Sequence, residues 1–164
     1  MNTSMPRLRQ VVDWSAALWA GVMSGIVFLG ILMGLTAWYL GSPWVIPRLL
    51  ASILLGKSVL PPPATFEPGV FALALVIHIL LSMLFACLIA FVLHRWGLLV
   101  GIVGGAMFGL ALYAVNFYTL SYFVPWFFPL RSWIMLAGHV VFGAVAGGLY
   151  EALEVEKFEP VKES

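Results

Sequence analysis

Polar and apolar positions in this chain separate into long blocks. No Asp, Glu, Lys or Arg occurs in the 34 residues between Asp13 and Arg48, the 27 between Glu67 and Arg95, the 35 between Arg95 and Arg131, or the 19 between Arg131 and Glu151. About 20 apolar residues in a helix cross the hydrocarbon of a bilayer, so these blocks predict four membrane-spanning helices at about 14–40, 70–93, 97–119 and 131–152. The first block is too long for a secretory signal peptide and lacks its small-residue cleavage site. Between the first two spans, Leu49 to Leu60 is too short to cross and too apolar to lie in water. It predicts an interfacial helix at 48–58 within an outer loop of 41–69, ended by Pro61, Pro62 and Pro63 and forming a lid over the outer face. The tail, 153–164, is expected to be a frayed helix end followed by a solvated segment.

The blocks also repeat. Pro43-Trp44-Val45-Ile46-Pro47-Arg48 returns as Pro125-Trp126-Phe127-Phe128-Pro129-Leu130-Arg131, and downstream of each copy an apolar helix carries one histidine, His78 or His139. Both histidines are followed by three apolar residues, a small residue, three more apolar residues and a second small residue: Ser82 and Ala86 in one case, Gly143 and Gly147 in the other. This predicts a tandem duplication of a two-helix unit. Two spans per unit preserve orientation, so the copies should be related by a pseudo-twofold axis along the membrane normal, with the histidines at similar depth. Gly21 and Gly25 (with Gly30 and Gly34 beyond) in the first span match Gly101, Gly105 and Gly109 in the third, a spacing that lets backbones approach closely. Because these two spans are equivalents, they are expected to form the central close contact.

Composition makes the chain an all-α membrane protein: 63% of its residues are hydrophobic, 9% are charged, and mean hydropathy is +1.06, against about a quarter charged in soluble domains. It forms one four-helix transmembrane domain over 1–164. The single cysteine, Cys87, lies within the second span, which leaves no intrachain disulfide and predicts a small buried apolar group. Arg7, Arg9, Arg95, Lys157 and Lys162 fall on the side of the termini, against Arg48, Lys57 and Arg131 on the other. This bias predicts cytoplasmic termini. Tryptophan and tyrosine near the span ends read as interfacial belts, denser on the outer side.

Reactive groups are few. Within the spans the polar inventory is Ser24, Thr36, His78, Ser82, Asn116 and His139, with tyrosines near the ends. No phosphate loop, zinc-binding helix or nucleophile elbow occurs, which argues against an enzyme. His78 and His139 would face each other across the pseudo-twofold axis. The preferred reading is that each hydrogen-bonds a neighbouring helix, Asn116 serving His139 and Thr36 the equivalent place for His78. The alternative is axial ligation of haem b; two histidines would leave a non-haem metal under-coordinated. His94, beside Arg95, reads as an interfacial residue. Arg48 and Arg131, with Trp44 and Trp126, form the other paired feature. They read as interfacial anchors or as a site for a lipid headgroup or an acidic partner loop.

Gly41-Ser42-Pro43-Trp44 followed by Leu60-Pro61-Pro62-Pro63-Ala64-Thr65-Phe66 resembles small, uncharacterised four-helix membrane proteins of bacteria. The resemblance implies placement in the bacterial inner membrane and a four-span count, and carries no activity. The function expected is that of a structural or accessory subunit of a larger membrane complex, respiratory or electron-transfer chains included. The alternatives are a bis-histidine haem protein and a small channel or carrier for a neutral solute. The expected partners are membrane lipids and other membrane-protein subunits, not nucleic acid.

Overall fold

The computed structural model describes residues 8–160. Arg7 and Lys162, counted above on the side of the termini, and the tail beyond residue 160 lie outside the described residues. Four helices are each long and apolar enough to cross a membrane, and the chain is a multi-pass membrane protein on that footing. They are α1 (Trp14–Leu40), α3 (Pro68–Leu93), the run Gly97–Phe123 and α6 (Trp133–Leu153). The third begins as α4 (Gly97–Ala114), widens into a π turn (Val115–Thr119) and ends in the single turn α5 (Leu120–Phe123), reaching past the expected limit at 119. Between α1 and α3 lies α2 (Val45–Leu55), prolonged by a 3-10 turn (Gly56–Val59). A 3-10 segment (Pro125–Leu130) precedes α6.

Local chemistry sets the helix ends. Asp13 caps α1 by accepting from the Ser15 and Ala16 N–H groups, and Gly41, at φ 72°, closes it in the left-handed conformation that only glycine adopts cheaply. Pro68 stands in the first turn of α3, where its missing N–H is not needed. Ser132 accepts from Met135 N–H and caps α6, so that helix starts two residues later than the blocks predict.

Alanines fill many of the innermost positions while many large apolar residues face outward. Ala17, Ala20, Ala51, Ala90 and Ala146 have no exposed surface, whereas Trp19, Leu80, Phe91, Leu99 and Met107 are each more than half exposed. That inversion suits hydrocarbon as surrounding solvent.

The expected central contact between the first and third spans does not form. Instead α4 packs on α6, and α1 on α3, with α1 also against α6. A Cβ on Gly105 would overlap the Gly143 carbonyl, one on Gly109 the His139 carbonyl, and one on Gly147 the Gly101 carbonyl. In the other pair Gly21 meets the backbone of Met83, and Gly25 meets the Ser82 side chain. The glycines pack as tightly as their spacing predicts, but each stripe has its complementary small residues on the next antiparallel span. A glycine stripe specifies closeness and not a partner. Gly25 meets Ser82 as Gly105 meets Gly143, positions that correspond in the two sequence halves.

The ends of the chain also depart from expectation. Lys157–Pro160 forms a strand, β2, antiparallel to β1 (Leu8–Val11), with Leu8 opposite Pro160 and Val11 opposite Lys157. Two isolated strands are marginal, and Asp13 supplies what they lack. Its carboxylate accepts from Val155 N–H at 3.3 Å and pairs with Lys157 at 3.2 Å, while its own N–H donates to the Tyr150 hydroxyl at 3.4 Å. Burial alone would raise the Asp13 carboxyl, but the Val155 and Ala16 N–H groups and the Lys157 ammonium outweigh it and hold it below the ordinary 3.8.

Gly105→Ala should destabilise the bundle by about 1–3 kcal/mol, because a methyl group must displace main chain. Gly34→Ala, where a Cβ meets open space, should not. Equilibrium unfolding in mixed detergent followed by circular dichroism compares them. The Asp13 ties should be complete above the unfolded carboxyl value of 3.8 and lost as pH falls through the lower folded one. NMR dispersion of the Leu8–Val11 amides should collapse in that acid window in the native chain, and should show no such titration in Asp13→Asn.

Candidate functional site

At the loop end of the bundle every long helix contributes to one chamber of about 210 Å³. Phe28 and Leu32 come from α1, His78, Ser82 and Phe85 from α3, Leu112 from α4, and Met135, His139 and Phe142 from α6. Asn116 and Phe117 reach it from the π turn, while Ile46, Leu49, Leu50 and Ile53 of α2 and Phe127 and Leu130 of the second 3-10 segment line it from the loop side. No Asp, Glu, Lys or Arg is among the lining residues.

Both histidines are buried here, and both pack on one ring. The Phe28 centroid lies 6.0 Å from that of His78 and 5.1 Å from that of His139, the latter edge-on. His78 Nε2 stands 2.9 Å from the Gly25 carbonyl oxygen, and His139 Nδ1 stands 2.8 Å from that of Met135. A carbonyl only accepts, so each contact places the ring proton: on Nε2 in His78 and on Nδ1 in His139. Asn116 Nδ2 lies 3.4 Å from His139 Nε2, a long bond to the remaining lone pair. The pairing of Asn116 with His139 expected from the sequence is therefore present. That of Thr36 with His78 is not: Thr36 turns its hydroxyl onto Met33 of its own helix, and the Gly25 carbonyl takes its place. Only the close approach of α1 to α3 brings that carbonyl within reach, and main-chain partners leave no mark in a sequence.

The π turn that carries Asn116 is held from outside. Arg131 donates through Nε to the Phe117 carbonyl at 2.6 Å and through Nη2 to Ser121 Oγ, with its guanidinium 4.5 Å from the Tyr118 and Phe128 ring centroids. Arg48 does the same service for the other loop, donating to the Val59 carbonyl at 2.8 Å and the Thr65 carbonyl at 3.0 Å, with Glu67 at 3.6 Å. Both arginines are thus engaged by their own loops. Trp126 donates to the fully buried Ser52 at 2.9 Å, tying the second 3-10 segment to α2, with Lys57 over its ring. Trp44 packs on Phe66 and Phe71.

His94, at the turn between α3 and α4, donates to the Phe91 carbonyl and accepts from Arg95, away from the chamber. Cys87 packs beside the alanine cluster of α1 and α3. A second groove, of about 270 Å³, runs between α1 and α6. Its lining is apolar apart from Ser24, whose hydroxyl is turned onto Ala20 at 2.7 Å, Tyr39 and the Trp133 indole, so it presents little to a polar ligand.

Phe28 and the π turn are the chamber's features that sequence reasoning missed. Nothing marks Phe28 among the twelve phenylalanines. A π turn also has no residue signature, although such widenings recur at functional positions. Comparison of the chain with described protein families, with curated proteins and with solved structures finds no match.

Proposed function

We propose that this is a non-enzymatic membrane protein that holds a small neutral molecule in the chamber. The observation that carries this reading is the convergence of His78, Asn116 and His139, from α3, the π turn and α6, on a space otherwise lined almost wholly by apolar side chains. Apolar enclosure with a few convergent polar groups is the usual constitution of a ligand site. A cavity of about 150 Å³ accepts benzene, so 210 Å³ accommodates a ring with a short chain. The lack of charged lining favours a neutral occupant.

In this reading the molecule is two tandem two-helix units, a view supported by the matched contacts of Gly25 with Ser82 and Gly105 with Gly143. The segment from α2 through Pro63 acts as a lid, supported by its lining of the chamber and its Trp126–Ser52 tie. The termini face the cytoplasm of a bacterial cell, supported by the basic residues on their side of the chain.

Haem finds less support. Phe28 packs on both imidazoles, and His78 Nε2 is engaged by a carbonyl. The accessory-subunit expectation gains no specific surface, since outward apolar faces serve lipid as well as a partner.

Propylbenzene should bind saturably at one site per chain in nanodiscs, measured by saturation-transfer NMR against protein-free discs. Leu112→Trp, which fills the chamber from α4, should weaken that binding at least about tenfold, the loss of a buried ring's contacts being worth more than 1.4 kcal/mol. Equal signals from both proteins would refute the proposal.

A further inference from the structure

We infer that the occupant of the chamber carries a hydroxyl group that donates a hydrogen bond: an apolar alcohol or phenol. The inference rests on the proposed ligand site and on the direction of the hydrogen bonds around it. Each imidazole has one N–H in its neutral form, and with no ionised side chain lining the chamber, nothing offsets a charge there. Both N–H groups already have acceptors in the chain, the Gly25 carbonyl for His78 and the Met135 carbonyl for His139. What the two rings keep is their lone pairs, Nδ1 of His78 and Nε2 of His139, the second met only by the 3.4 Å contact from Asn116. The Asn116 amide and the Ser82 hydroxyl can serve in either sense and do not alter this excess of acceptors.

A ligand that only accepts, such as a ketone, ester or ether, finds no imidazole proton to bind. One with no polar group leaves the lone pairs as they are. A hydroxyl gives its proton to an imidazole nitrogen and can still accept from Asn116, so it satisfies the polar wall while its apolar body meets Phe28, Phe85 and Leu112. Such a molecule is membrane-soluble.

The test compares 4-propylphenol, 4-propylanisole and propylbenzene in nanodiscs, with protein-free discs subtracted. These probes share a body and differ in donating, only accepting, or doing neither. The phenol should bind about three- to tenfold more tightly than either of the others, the range of one net hydrogen bond. Its advantage should vanish in His139→Phe or in His78→Phe, with propylbenzene affinity in the same variant within about twofold of wild type showing that the chamber is intact. The wild-type comparison decides alone if either variant does not fold. Equal affinity for all three probes, or an advantage kept in both variants, overturns the hydroxyl inference while leaving a ligand site standing. Absence of saturable binding by any probe removes the site itself.

Discussion

The closeness of α4 and α6 is the constraint on which the rest of the molecule depends. In hydrocarbon, helices gain little by hiding apolar side chains from lipid, and association has to come from packing contact. Gly101, Gly105 and Gly109 on one helix and Gly143 and Gly147 on the other bring main chain against main chain over about two turns. The pair of α1 with α3 uses the same device with Ser82 where the other has Gly143. A serine is larger than a glycine, but its partner Gly25 makes room, and the Gly25 carbonyl is thereby set against His78.

Two tight pairs cannot also be tight against each other everywhere. The space between them is filled by side chains, with Phe28 at its centre in contact with His78, His139 and Phe142. Toward the loop end the filling is incomplete, and the chamber results. Its walls are fixed by groups that do not line it. Arg131 holds the π turn by its carbonyl and hydroxyl, and Trp126 fastens the second 3-10 segment to α2. The arginine and tryptophan of the Pro-Trp motif are in this sense building residues, and the imidazoles inside inherit their positions from them.

The four spans were legible because ionic residues are nearly absent from them, and a charge in hydrocarbon is too costly to be misplaced. The glycines were legible as close-packing surfaces for a similar reason, since four-residue spacing has few other uses in an apolar helix. Their pairing was not. It depends on complementarity between two helices, and Gly143 and Gly147 answer Gly105 and Gly101 only once the fold has set them antiparallel. Asp13 was legible only as the charge that bounds the first apolar block. The reach of its second oxygen to Val155 and Lys157 was not, because the tail is too short and too charged to suggest a strand. The histidines stood out by their paired contexts, while the groups that determine their protonation, two carbonyl oxygens, have no side-chain identity at all.

The chemistry assigned to the chamber stands on which nitrogen of each imidazole carries the proton. Nitrogen-15 NMR of histidine-labelled protein in lipid bilayers reads this directly, the three histidines being assigned by single substitution. The account predicts two neutral rings of opposite tautomer, His78 protonated at Nε2 and His139 at Nδ1. A charged ring at either position, or a proton on His78 Nδ1 or His139 Nε2 in place of the expected nitrogen, would contradict it.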